Sequence, residues 1–119
     1  MRDDLKKKNL IGQLSFHFAV EMVTFCTLLE ENRKWSLANQ LLRASLSIGA
    51  NVKEAQNAES KADFIHKLKI AAKEADEVEF YLEVCNAAKE LPSAGDLVNK
   101  VQSICRVLNK IIGTTKKIS

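Results

Sequence analysis

The chain has 119 residues and a formal net charge of +3, with 46 % hydrophobic and 28 % charged residues. That is enough for one domain around a single core, with the balance of an ordinary soluble protein. A single Pro, four scattered Gly and no turn dipeptide between alternating runs exclude a strand-rich architecture and favour long helices.

The first helix is expected from about residue 4 to 32. Ile11, Leu14, Phe18, Met22, Phe25 and Leu29 recur every three or four positions and form one apolar seam. Gly12 costs about 1 kcal/mol in a helix interior, which sets the turns before it apart. Phe16, Val20 and Val23 lie beside the seam, so this helix is expected to bury its wide face against more than one neighbour. His17, Glu21 and Thr24 interrupt the apolar run, so it reads as amphipathic and not as the roughly 20 apolar residues of a membrane span. The start, with Arg2, Asp3, Asp4, Lys6, Lys7 and Lys8, lacks the apolar stretch of a signal peptide, and a cytoplasmic location is expected.

The polar stretch 30–34 leads to a second helix, expected over 36–57 with Ser36 as its N-cap. Its seam is Leu37, Leu41, Ala44, Ile48, Val52 and Ala55. Gly49, among small residues, is expected to mark a close approach by a partner helix. Ser60 is the N-cap expected for a third helix over 61–91, with Asp63 at the third position. Its seam of Phe64, Leu68, Ala71, Ala75, Val78, Leu82 and Cys85 alternates steps of four and three, a heptad period that predicts close antiparallel packing. Glu79 and Glu83 read as solvated. The stretch LPSAGD is a loop. The fourth helix is expected over 94–112 on Leu97, Val101, Ile104, Leu108 and Ile111, with Gly113 as its stop and a loose tail. The fold predicted is all-α: an antiparallel up-down-up-down four-helix bundle, with residues 1–119 as one domain.

Catalytic motifs are missing. His17 and His66 fall on different helices with no metal-ligand spacing around them; His66 is expected to be exposed and His17 partly buried. Glu74 and Glu77 lack the Glu-x-x-His partners of a di-iron bundle, and no Gly-rich phosphate loop or nucleophile elbow occurs. Cys26, Cys85 and Cys105 sit in apolar patterns and read as core thiols. The expectation is a protein with no enzymatic activity, no cofactor and no metal.

Two features go beyond a simple bundle. The first is charge: residues 91–119 carry five basic groups and one acidic group, whereas residues 35–90 carry seven and nine. The cations Lys100, Arg106, Lys110, Lys116 and Lys117 form a candidate nucleic-acid contact, with Arg106, Lys110 and Lys117 on one helical face. Few aromatics lie outside the seams, so any binding would address the backbone and not the bases. The second is a polar ridge. Gln40, Arg43, Ser47, Asn51 and Glu54 follow helical steps on the second helix, and Lys67, Glu74, Glu77 and Tyr81 do so on the third, with Ile70 between them. It reads either as a solvated face or as a network between these helices or between subunits.

These ridge segments, QLLRASLSIGANVKEA and KADFIHKLKIAAKEADEVEFYL joined by QNAES, resemble the signature of the 23S rRNA intervening-sequence protein family of small bacterial four-helix bundles. The matching positions run through Gln40, Leu41, Arg43, Ala44, Ser47, Ile48, Ala50, Asn51 and Glu54. They continue with Ser60, Phe64, Ile70, Ala71, Lys73, Glu74, Ala75, Glu77, Phe80 and Tyr81. Two departures, Ala55 and Gln56 in place of a Glu-Gly pair and Trp35 near the place of a Phe-Pro pair, point to a subgroup. The resemblance implies a homopentamer, binding of RNA or DNA, and a role for similar proteins as accessory subunits of reverse transcriptases in diversity-generating retroelements. The function expected is an oligomeric bundle that binds nucleic-acid backbone through a basic surface of the ring. The alternative is a protein-interaction adaptor, such as an accessory subunit of a polymerase.

Overall fold

The computed structural model describes residues 2–118, with side chains from Leu10 onward. Four helices account for its elements: α1 (Arg2–Glu31), α2 (Trp35–Gln56), α3 (Lys61–Ala87) and α4 (Leu97–Lys117). No strand occurs among the described residues. Each helix packs on two neighbours, in the ring order α1, α2, α3, α4, and the bundle measures 49 × 21 × 18 Å.

The core is made by the seams. Ile11, Phe18, Met22, Phe25 and Leu29 of α1 meet Leu41, Ala44, Ile48 and Val52 of α2, Leu68, Ala71, Ala75, Val78 and Leu82 of α3, and Val101, Ile104 and Leu108 of α4; all are buried. Burying a large aliphatic side chain contributes about 1.5–3 kcal/mol, so these stripes set which face of each helix turns inward. Small residues on α2 and α3 (Ala44, Ala71, Ala75) let those two helices approach closely. Consecutive helices run antiparallel. Gln40 pairs with Tyr81 and Glu54 with Lys67 across α2 and α3. Glu79 pairs with Gln102 and Asp76 with Cys105 across α3 and α4.

Helix ends differ from the sequence expectations in four places. At the end of α1, Lys34 N–H donates to the Leu29 carbonyl at 2.8 Å and Arg33 N–H to the Glu30 carbonyl at 2.9 Å, with Arg33 at φ 62°. This left-handed closure delivers the chain directly into α2. Helix α2 therefore begins at Trp35 with Lys34 at its cap position and no side-chain cap bond, so Ser36 is already inside the first turn and is not the cap.

Helix α3 stops at Ala87, short of residue 91, because Asn86 gathers the following loop. Its Oδ1 accepts from Ala94 N–H at 2.7 Å, Gly95 N–H at 3.1 Å and Ser93 Oγ at 3.1 Å. Helix α4 starts later than expected, at Leu97, and runs through Gly113 to Lys117. Ile111 and Ile112 are buried and Thr115 Oγ1 donates to the Ile111 carbonyl at 2.7 Å, so tertiary packing outweighs the propensity cost of glycine. The Ser60 cap of α3 stands as expected, its Oγ accepting from Asp63 N–H at 3.0 Å.

Gly49 is not explained by a forced close approach. A Cβ there would lie 3.8 Å from the Ser15 carbonyl oxygen, an ordinary contact. Gly49→Ala is therefore expected to stabilise the bundle by about 1 kcal/mol through helix propensity, measured by urea unfolding. A loss of stability would mean that the α1–α2 contact is tighter than this geometry.

Candidate functional site

The ridge of α2 and α3 is brought together. Tyr81 Oη lies 2.8 Å from Gln40 Oε1 and 3.1 Å from Glu77 Oε1, so its single proton serves one of two acceptors. The bond to Glu77, with desolvation, raises the Tyr81 pKa above the ordinary tyrosine value. Lys67 Nζ reaches Glu54 Oε1 at 3.3 Å. Asn51 Nδ2 bonds the Ser47 carbonyl at 2.9 Å and its Oγ at 3.1 Å, within α2 itself. The ridge thus ties α2 to α3 at both ends inside one chain. Between those ties, Glu74 Oε2 is buried with no hydrogen-bond partner among the described residues. Arg43 is exposed and acts electrostatically on Tyr81.

The basic residues do not form one uniform set. Lys100 Nζ pairs with Glu21 Oε2 of α1 at 2.6 Å, which raises its pKa above the ordinary lysine value and withdraws it from the free cations. Arg106, Lys110, Lys116 and Lys117 are exposed. Arg106 Nη2 rests on Ser103 Oγ at 3.0 Å. None of these four makes an ion pair among the described residues. Helix α4 holds no carboxylate between Leu97 and Lys117. The side chains of Lys6, Lys7 and Lys8 lie outside the described residues.

The third surface departs from the expectation for α1. Phe16, Val20 and Val23 do not enter a second interface within the chain; Phe16 is 63 % and Val20 53 % exposed. With Leu46, Gly49 and Ala50 of α2 they line an apolar groove of roughly 650 Å³. This overhang also gives the Leu10–Glu31 segment the length and hydropathy of a membrane span, although its seam side is core. On α3, which lies across the core from α1, Phe80 is 62 % exposed beside Val84. His17 is exposed and not partly buried, edge-on to Phe16 with ring centroids 5.6 Å apart. Glu79 is half-buried and not solvated, accepting from Gln102 Nε2 at 2.9 Å.

All three cysteines are free and buried, as the apolar pattern predicts. Burial pushes the Cys26 thiol up to about 11 and the Cys105 thiol to about 12, the latter helped by Asp76, to which Cys105 Sγ donates at 3.6 Å. Cys85 is raised by burial alone. The folded pKa values stand above the unfolded one, so the stabilising contribution is complete below about 9 and is lost as pH rises towards the folded values. Unfolding by urea at pH 8 and pH 10 is expected to show a lower midpoint at pH 10. Replacing Cys105 by Ala should reduce that difference, and an undiminished difference would assign it to other groups.

Residues 7–110 match the 23S rRNA-intervening sequence protein family. The chain belongs to that family. A search of curated proteins gives no match. Among solved structures, the family member resembles a crystal structure from Bacteroides thetaiotaomicron described as a protein with unknown function from the S23 ribosomal protein family. The two are 37 % identical with a TM-score of 0.83, over 90 % of this chain and 98 % of the other. The intervening-sequence family match spans α2, α3, their joint and most of α1 and α4, so it includes the ridge and Arg106 and Lys110, while Lys116 and Lys117 lie beyond it.

Proposed function

We propose that the chain is a non-enzymatic, cytoplasmic subunit of a homo-oligomeric ring, a pentamer, that binds the backbone of RNA or DNA through the basic face of α4. The observation that carries the binding is the run of exposed, unpaired cations on a helix without a carboxylate. Repetition of that face around a ring raises its effective valency. Assembly is supported by two separate apolar patches, the α1–α2 groove and Phe80 with Val84 on α3. Two unlike patches favour a heterologous contact, which closes into a ring when the rotation permits.

Backbone binding predicts that log affinity falls linearly with log salt, with a slope of about −0.7 per phosphate contact on a single strand. Fluorescence anisotropy with a labelled single-stranded RNA and a duplex DNA, from low to moderate salt, tests this. Steep loss of binding supports the reading, and absence of binding at low salt overturns it. The second reading, a protein-interaction adaptor such as an accessory subunit of a polymerase, is favoured by the apolar groove and would then stand.

A further inference from the structure

Four polar side chains face one another across α3 and α4. Asp76 and Glu79 stand one turn apart on α3, and Gln102 and Cys105 one turn apart on α4. Gln102 Nε2 donates to Glu79 Oε2 at 2.9 Å, and Cys105 Sγ donates to Asp76 Oδ1 at 3.6 Å. One ligand atom from each of Asp76, Glu79 and Cys105 lies within 4.8 Å of the other two. Neither carboxylate makes an ion pair among the described residues, so the fold holds two like charges together without a cation. Beneath them Cys105 is only 9 % exposed, yet its sulfur turns to the carboxylates and not into the core. Cys26 and Cys85 differ, since burial is the main influence on both and neither bonds a carboxylate. A tetrahedral zinc ion holds sulfur at about 2.3 Å and carboxylate oxygen at about 2.0–2.2 Å, which sets its ligands roughly 3.5 Å apart. The Cys105–Asp76 separation is already close to that, and rotamer adjustment of the two carboxylates closes the rest.

We propose that Asp76, Glu79 and Cys105 form a binding site for a thiophilic divalent cation, zinc, that clips α3 to α4. The sulfur selects against magnesium and calcium, which take oxygen ligands. Gln102 orients Glu79 through its amide, as an outer partner of a metal ligand does. On binding, the Cys105 S–H bond breaks, the sulfur–metal bond forms and the proton leaves to water. The ion offsets both carboxylate charges, so the thiolate forms where burial and those charges otherwise disfavour it. Three protein ligands leave a fourth position for water. The sequence hides this set, because its ligands come from two helices and none is a histidine. The site stands independently of nucleic-acid binding and of assembly.

Cobalt(II) is the probe, because its thiolate complexes absorb in the near ultraviolet and those of zinc do not. The reduced, untagged full chain is titrated with cobalt chloride, and zinc is then added in competition. The wild type should give the thiolate-to-cobalt band, saturating at one ion per chain. Zinc should abolish the band and raise the thermal midpoint. Cys105→Ser should lose the band. Asp76→Asn and Glu79→Gln should each weaken cobalt binding at least about tenfold. Cys26→Ala, in the core seam of α1, is the control and should retain the band. Circular dichroism verifies that each variant is folded, and if Cys105→Ser is not, the two carboxylate variants decide. An undiminished band in folded Cys105→Ser, or undiminished affinity in both carboxylate variants, overturns the site. So does a wild type that shows neither band nor midpoint shift.

Discussion

The charge-reversed variant Arg106→Glu with Lys110→Glu is expected to lose nucleic-acid binding, with affinity down by at least about a hundredfold at low salt. Each substitution removes a cation and adds an anion on the same face, four residues apart and about one helical turn. Both side chains are exposed, and Arg106 bonds only Ser103 on its own helix, so the core is untouched. The buried seam of α4, Val101, Ile104, Leu108 and Ile111, lies on the opposite side. A surface change of this kind alters stability by no more than about 0.5 kcal/mol. Circular dichroism should therefore report an intact bundle while anisotropy reports the loss of binding. Retained affinity would move the contact surface off α4. Replacement of Lys100 by Gln is expected to have a smaller effect, because Glu21 already occupies that ammonium.

The second large effect is expected in the α1–α2 groove. Phe16→Asp with Val20→Asp should convert the assembly to monomers without unfolding them. Both side chains face solvent in the single chain, so the charges meet water when the subunit is alone. In an interface the same carboxylates lose their hydration without a partner, which costs several kcal/mol each. Exposed apolar surface of this extent marks an interaction site more often than chance surface. Light scattering gives the mass and urea unfolding gives the monomer stability. An unchanged mass with unchanged stability would release the groove from assembly and leave it for another partner. Phe80→Asp on α3 provides the complementary arm, since a heterologous contact needs both patches.

The core is legible in the sequence because helical burial is periodic. Leu41, Ile48, Leu68, Leu82, Val101 and Leu108 all fall on seams that the spacing alone defines, and all are buried. The ends are less legible. Closure of α1 by Arg33 in the left-handed region is not signalled by a glycine, and the Asn86 bonds that end α3 reach eight and nine residues along the chain. Gly113 is a stop signal that tertiary packing of Ile111 and Ile112 overrides. At the candidate surfaces, the ridge pairs Gln40–Tyr81 and Glu54–Lys67 follow from two polar stripes and an antiparallel joint. The pairing of Lys100 with Glu21 does not, because the two lie 79 residues apart and nothing local links them. The width of the α1 apolar face is plain from its pattern, but what covers it is not, since composition cannot distinguish a face buried in the fold from one left for another molecule.

Assembly is the claim on which the two apolar patches and the multivalent basic face converge. The solution mass of the wild-type chain, by light scattering at tens of micromolar protein, tests it most directly. The account predicts a single species at five times the 13.3 kDa subunit mass. A species at 13.3 kDa would contradict it.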